Sequence, residues 1–282
     1  MSLDFIPTVW AARLLAALDN ALVYGQPGVV NRDYEGDVRS SGNTVKIASI
    51  GNVNVKNYTK DSDIDDVEAL TDTDQTLLID QSKYFNFFVD QVDRAQQNVN
   101  VLDSAMQAAA HSLREYADKF IASTMDSAVT TNKIGSSASP IVPTADTAYE
   151  YLVDLGVLLD EGNTPIDGRF CIVPAWFHGL LLKDDRFVRS GTGRGDDRLA
   201  NGEVGEAAGF RILKSNNVPA TAGAKYKILA GHKIATTYVE QVLDVQTYKP
   251  EKRFGDAVKG LHVYGAKVVR PAALACLTAS KS

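Results

Sequence analysis

Four histidines and two cysteines are the first residues to weigh for chemistry in this 282-residue chain. His111, His178, His232 and His262 are scattered, and none has a second His or a Cys at metal-ligand spacing. Cys171 and Cys276 sit in the apolar runs Phe170-Cys171-Ile172-Val173 and Ala275-Cys276-Leu277, so both read as buried free thiols. No Gly-x-Ser-x-Gly elbow, His-Glu-x-x-His pair or Walker loop is present. Gly191-Thr192-Gly193-Arg194-Gly195 has the letters of a phosphate-binding loop. However, Asp196 replaces the third glycine and no helical pattern follows, so a dinucleotide fold is not supported. Arg194-Gly195-Asp196 is a three-letter adhesion match of the kind that arises by chance.

Two charged clusters also invite chemistry. Asp61, Asp63 and Asp65 alternate as in a calcium loop, but Asp66 stands where glycine must turn the chain and Asp72 where a bidentate Glu is needed. A solvated acidic loop is the better reading. Tyr248, Lys249, Lys252 and Arg253 mix aromatic and basic groups as nucleic-acid surfaces do, diluted by Glu251 and Asp256. Weak, sequence-independent contact with a packed polyanion is the most that this implies. An enzyme would have to use a pocket near Arg169, Trp176 and His178. No catalytic, cofactor-binding or metal-ligating residue is assigned, and no cofactor is expected.

The elements around these residues follow from composition and periodicity. With 45% apolar and 23% charged residues the chain is globular, long enough for one large domain or two modest ones. Its net charge of −6 argues against a protein whose main task is gripping nucleic acid. The N-terminus lacks the basic and apolar regions of a secretory signal, and no stretch reaches the ~20 apolar residues of a membrane span. A soluble protein made in a reducing compartment, without membrane contact, is expected. Charge is uneven. Residues 1–140 carry 11 basic and 19 acidic groups, and residues 225–282 carry 10 and 4. Such asymmetry suits an acidic part of one copy meeting a basic part of another.

Residues 8–22 read as an amphipathic helix, with Trp10, Leu14, Leu18 and Leu22 in step and Gly25 and Pro27 beyond its end. Residues 43–58 alternate around Ile50-Gly51-Asn52 as a hairpin, and a second β stretch runs from Leu77 to Val89. Between them, residues 61–74 hold seven acidic groups and no basic one. Residues 98–125 predict a long helix, with Leu102, Met106, Ala109, Leu113, Ala117, Phe120 and Ile121 inward and Gln107, Arg114, Glu115 and Asp118 off that face. Thr147 with Glu150 spells a capping box for a helix to about Glu161, closed by Gly162. Arg169–Val173 reads as a buried strand and Pro174 as the start of a helix. Residues 190–205 read as a mobile loop, and strands are expected at 209–214, 226–231, 242–249, 260–265 and 267–270. Helices and strands are segregated, so the fold class is α+β.

Taken in order, these segments resemble the major capsid proteins of tailed bacteriophages, whose fold is shared with herpesvirus shell floors and encapsulins. Phe5-Ile6-Pro7-Thr8-Val9-Trp10-Ala11 with Leu14-Leu15 resembles the start of many phage coat proteins. Gly42-Asn43-Thr44-Val45-Lys46-Ile47 resembles the first strand of their extended loop. Leu159 to Pro165, continuing into Gly168 to Pro174, is similar to their central domain. Gly202-Glu203-Val204-Gly205 with Gly209-Phe210-Arg211-Ile212, then Ser215 to Pro219, is the most specific piece.

The resemblance implies a structural protein, not an enzyme. Its copies form hexamers and pentamers that close an icosahedral shell around double-stranded DNA, which they touch only weakly. It implies an N-terminal arm over 1–35 and an extended β loop over 36–92. A peripheral domain with the spine helix would take 93–140 and 240–282, and an axial domain 141–239. The arm motif begins by Phe5, so a separate scaffolding protein, or none, is expected. Portal and decoration proteins are further implied partners, with the virion capsid as location and the bacterial host cytoplasm as assembly site. Lys46, Lys56 and Lys60 lie where some relatives place a self-cross-linking lysine, but no matching Asn or base is identifiable. The alternatives are an encapsulin-like nanocompartment shell holding an enzyme cargo, and a soluble α+β enzyme.

Overall fold

The computed structural model describes residues 23–34, 44–47, 57–58, 60, 63, 75–90, 101–184, 205–221, 224–250 and 255–281. Its organising element is α1 (Val101–Ala128), free of Gly and Pro, which at 1.5 Å per residue extends about 42 Å. Its C-terminal end at Ala128 lies three residues beyond the predicted end at Met125. Two sheets share it. Ala110 and Leu113 pack with Val245 and Val258, and with Phe85 and Phe87, from a three-stranded sheet. One helical stretch later, Ala117, Ile121 and Met125 pack with Phe170, Ile172, Leu229 and Cys276 of a seven-stranded sheet. Each such apolar side chain contributes about 1.5–3 kcal/mol by leaving water.

The smaller sheet is antiparallel, in the order β10 (Thr236–Tyr248), β11 (Gly255–Val268), β3 (Gln81–Asp90). Sequence reading splits β11 into two strands at Ala266, whereas the structure shows one strand. Gly265 broke the apolar alternation because close approach of another segment requires it. A Cβ there would lie 2.4 Å from the Leu78 carbonyl oxygen. That backbone belongs to β2 (Gln75–Leu78), which pairs antiparallel with β1 (Thr44–Ile47). Residues 48–56 of the expected 43–58 hairpin, its turn among them, lie outside the described residues. So do the helix expected at 8–22 and most of the 190–205 loop.

The larger sheet runs β4 (Lys133–Ile134), β12 (Leu274–Ser280), β9 (Lys225–His232), β5 (Arg169–Val173), β7 (Phe210–Lys214), β6 (Glu206–Ala207), with β8 (Ala220–Thr221) beside β9. Both faces are covered. Cys171, Val173, Ile228 and Leu277 meet Leu152, Leu155, Leu159, Phe177 and Leu181 from α2 (Ala148–Glu161) and α3 (Ala175–Lys183). Sheets buried on both faces read as continuous apolar runs instead of alternation. Sequence reading therefore finds β5 but misses β12, whose Leu-Ala-Cys-Leu-Thr-Ala has no polar face.

The capping box is not formed. Thr147 makes no side-chain cap bond to α2, and its hydroxyl instead accepts the Thr144 N–H at 2.9 Å. The helix ends at Gly162 as expected, for a different reason from a left-handed turn. Its φ is −79°, and a Cβ would meet the Ala272 carbonyl oxygen at 2.9 Å. The left-handed residue is the next one, Asn163, at φ 51°.

Candidate functional site

Two buried carboxylates fasten the chain's N-terminal segment to this body. Asp118 lies on α1 and is almost wholly buried, against the expectation that it faces solvent. One of its oxygens accepts the Val23 N–H and the other the Tyr24 N–H, both at 3.1 Å. Burial is the largest influence and raises the Asp118 carboxyl above its ordinary range. Hydrogen bonds from the Val23, Tyr24 and Gly25 N–H groups and the Asn217 side chain pull the other way. The signal was present in the sequence. Ala122 and Met125 follow Asp118 at i+4 and i+7 on the buried stripe, so the residue lies at the stripe's edge.

The second fastening is at Glu240 on β10. Arg32 ion-pairs with one carboxylate oxygen. The Tyr238 hydroxyl donates to the other at 2.8 Å, and His262 Nε2 stands 3.5 Å from that same oxygen. Burial alone would raise the Glu240 carboxyl. Nearby His262, the charge of Arg32 and the Tyr238 hydroxyl together outweigh burial and hold it at about 2. The backbone completes this joint. The Asn31 N–H donates to the Thr236 carbonyl at 2.8 Å, and the Tyr238 N–H to the Asn31 carbonyl at 3.0 Å. Residues 23–32 are thus tied to α1 and to the edge of β10, and Tyr24, Val29 and Val30 are buried between the two ties. The chain is therefore anchored to the body from residue 23 onward.

The residues singled out for chemistry serve the fold. The Arg169 guanidinium donates to Asp160 Oδ1 and the Thr164 carbonyl, both at 2.7 Å, and to the Pro165 carbonyl at 2.9 Å, bracing the α2–β5 turn. Trp176 packs its ring on Phe177 and Tyr226, at 5.7 and 5.6 Å between centroids. His178 is half-buried, and burial followed by the charge of Lys214 lowers its pKa. His232 uses Nδ1 to accept the Ile234 N–H at 3.2 Å. His111 is exposed, and His262 belongs to the Glu240 joint. Cys171 and Cys276 are buried free thiols, as expected, and burial pushes Cys276 up to about 12.

Tyr248 shares a hydrogen bond of 3.0 Å with Asn86 and lies under the Lys259 ammonium, 5.5 Å from its ring centre. Its expected neighbours Lys252 and Arg253 lie outside the described residues, as do Asp61, Asp65, Lys56 and Gly191–Asp196. Asp63, Lys46 and Lys60 are described and exposed. Among the described residues no group of acids, histidines or cysteines is placed to hold a metal ion. No described helix is long and apolar enough to cross a membrane.

A long helix spliced to two sheets, with residues 23–32 fastened to both the helix and the edge of β10, is the frame of this subunit. Residues 73–277 match the family described as phage capsid protein. A chain in the solved structure of Mycobacterium phage Che8 is 33% identical, superposes with a TM-score of 0.73 and is matched over 88% of each chain. The capsid of cyanophage P-SCSP1u follows at 21% identity and TM-score 0.68, over 86% of this chain and 85% of the other. A virus-like particle from Pyrococcus furiosus shares the fold at 16% identity and TM-score 0.60, over 95% and 97%. No curated protein sequence matches the chain. The chain belongs to the phage capsid protein family: it is a structural major capsid protein, a coat subunit that self-assembles into shell oligomers of the virion capsid.

Proposed function

We propose that copies of this chain form hexamers and pentamers that close into an icosahedral shell around double-stranded DNA, with no catalytic step of their own. Residues 1–35 serve as the arm, 36–92 as the extended loop, 93–140 and 240–282 as the peripheral domain and 141–239 as the axial domain. The observation that carries this reading is the double fastening of residues 23–32 at Asp118 and Glu240. A free-standing monomer has little use for a segment held this firmly at its root, whereas a subunit that must hold a neighbour does. A separate scaffolding protein, or none, guides assembly, a portal protein completes the particle, and assembly takes place in the bacterial host cytoplasm. The acidic net charge supports weak contact with the packaged DNA, since a wall that gripped it would oppose packaging and release.

Negative-stain electron microscopy of the expressed protein, alone and with its scaffolding partner, tests this. Closed shells, tubes or sheets are expected, and a monodisperse small oligomer in both arms rejects the reading. The likeness to the Pyrococcus virus-like particle over nearly the full length of both chains favours one other reading, a shell around protein cargo. Nuclease-protected DNA in purified particles supports the phage shell, and protein contents without DNA support the cargo shell.

A further inference from the structure

We propose that Lys227, Ser137 and Thr278 form a seat for a small oxyanion on the large sheet. Lys227 on β9 lies directly across from Thr278 on β12. Its ammonium donates to Thr278 Oγ1 at 2.9 Å and to Ser137 Oγ at 3.0 Å. An ammonium has three donors, so one remains. The residue is only 8% exposed and Thr278 is fully buried. Among the described residues no carboxylate pairs with Lys227, and the two partners it has are neutral hydroxyls. A cation taken out of water without an anion is costly, and hydroxyls compensate only part of the loss.

The surroundings add positive charge. Lys225 lies two residues along the same face of β9, and Lys133 pairs with Cys276 in the neighbouring ladder. Asp126 on α1 accepts the Cys276 thiol at 3.7 Å. The hydroxyls are also suited to an anion. Each accepts from the ammonium and keeps its own proton to donate, and Thr278 has no acceptor for it among the described residues. Ser137 is half-buried and lies 3.4 Å from the hydroxyl of exposed Thr221, which places the cluster just beneath the surface. The loop holding Ser137 is fixed, because the Ser136 hydroxyl accepts the Ser139 N–H at 3.1 Å and Gly135 turns at φ +71°. One oxyanion would accept the third ammonium proton together with the Ser137 hydroxyl proton, while buried Thr278 holds the ammonium in place from beneath. A carboxylate, sulfate or phosphate fits this chemistry, supplied either as a free ion or as a side chain of a second copy.

The test uses the full-length protein, unassembled and assembled, with sulfate titrated against chloride at matched ionic strength. Sulfate is expected to raise the thermal midpoint of the unassembled protein saturably, and Lys227→Met is expected to abolish the response while keeping the fold. Ser137→Ala, at a half-exposed position, provides a milder check. Loss of one hydrogen bond is expected to weaken the apparent sulfate affinity about tenfold. A free-ion seat responds in both assembly states, whereas a seat filled by a neighbour's carboxylate responds only before assembly. Sulfate responses unchanged in both variants, or a wild type that does not distinguish sulfate from chloride, would overturn the proposal.

Discussion

Asp118 and Glu240 hold the same ten-residue segment, and they titrate in opposite directions. Asp118 accepts neutral N–H groups, so burial prevails and its carboxyl rises. Glu240 is as deeply placed, yet Arg32 and His262 bring it to about 2. The difference shows that the sign of a buried carboxylate's shift is set by whether a cation shares the site. It also separates two kinds of joint. The Asp118 joint grips the backbone of Val23 and Tyr24. The Glu240 joint depends on Arg32 by name.

The comparison can be broken at several points. Glu240→Ala removes the buried carboxylate that Arg32 and the Tyr238 hydroxyl share, and a loss of about 3–5 kcal/mol is expected in urea unfolding. A loss below about 1 kcal/mol would mean that the pair is decorative. Asp118→Ala strands the Val23 and Tyr24 N–H groups, for an expected loss of about 2–3 kcal/mol. Hydrogen exchange at those two amides should then accelerate, and unchanged protection would show that the carboxylate does not hold them. Gly265→Ala should cost about 1–3 kcal/mol by pushing β11 off the Leu78 carbonyl.

The pH profile sharpens the contrast. Glu240 has a folded value below its unfolded 4.5, so its contribution is present above about pH 4.5 and lost as pH falls towards 2. Arg32→Met should flatten that loss. Asp118 is raised above 3.8, so its burial weighs on the fold at neutral pH and is relieved on acidification towards 3.8. Asp118→Asn should remove that relief, and an unaltered profile would contradict the assignment. The exposed Glu115–Lys119 pair on α1 serves as the control, since Glu115→Gln should leave the unfolding midpoint unchanged.

What the sequence revealed follows from physics. The α1 stripe was legible because one helical face is buried over many turns, and β5 because a short apolar run beside Pro174 has few other readings. β12 was not, since a strand buried on both faces carries no period. Asp118 was misplaced because a polar letter at the edge of an apolar stripe reads as solvent-facing, and only the distant Val23–Tyr24 backbone gives it a reason to be inside. The Glu240 joint joins residues 208 apart in sequence, and nothing local to Arg32 or Glu240 announces the other. The family resemblance supplied the shell subunit. Single-residue chemistry did not, because the function lies in contacts between copies.

The proposed arm role divides the labour: the described body folds without residues 1–22, and shells need them to close. Deleting residues 1–22, while keeping both joints, tests it most directly, with calorimetry and electron microscopy on the same sample. The expected result is an unfolding midpoint within a few degrees of the intact chain, together with failure to close shells. Closed shells from the truncated chain would contradict it, and so would a body that no longer folds.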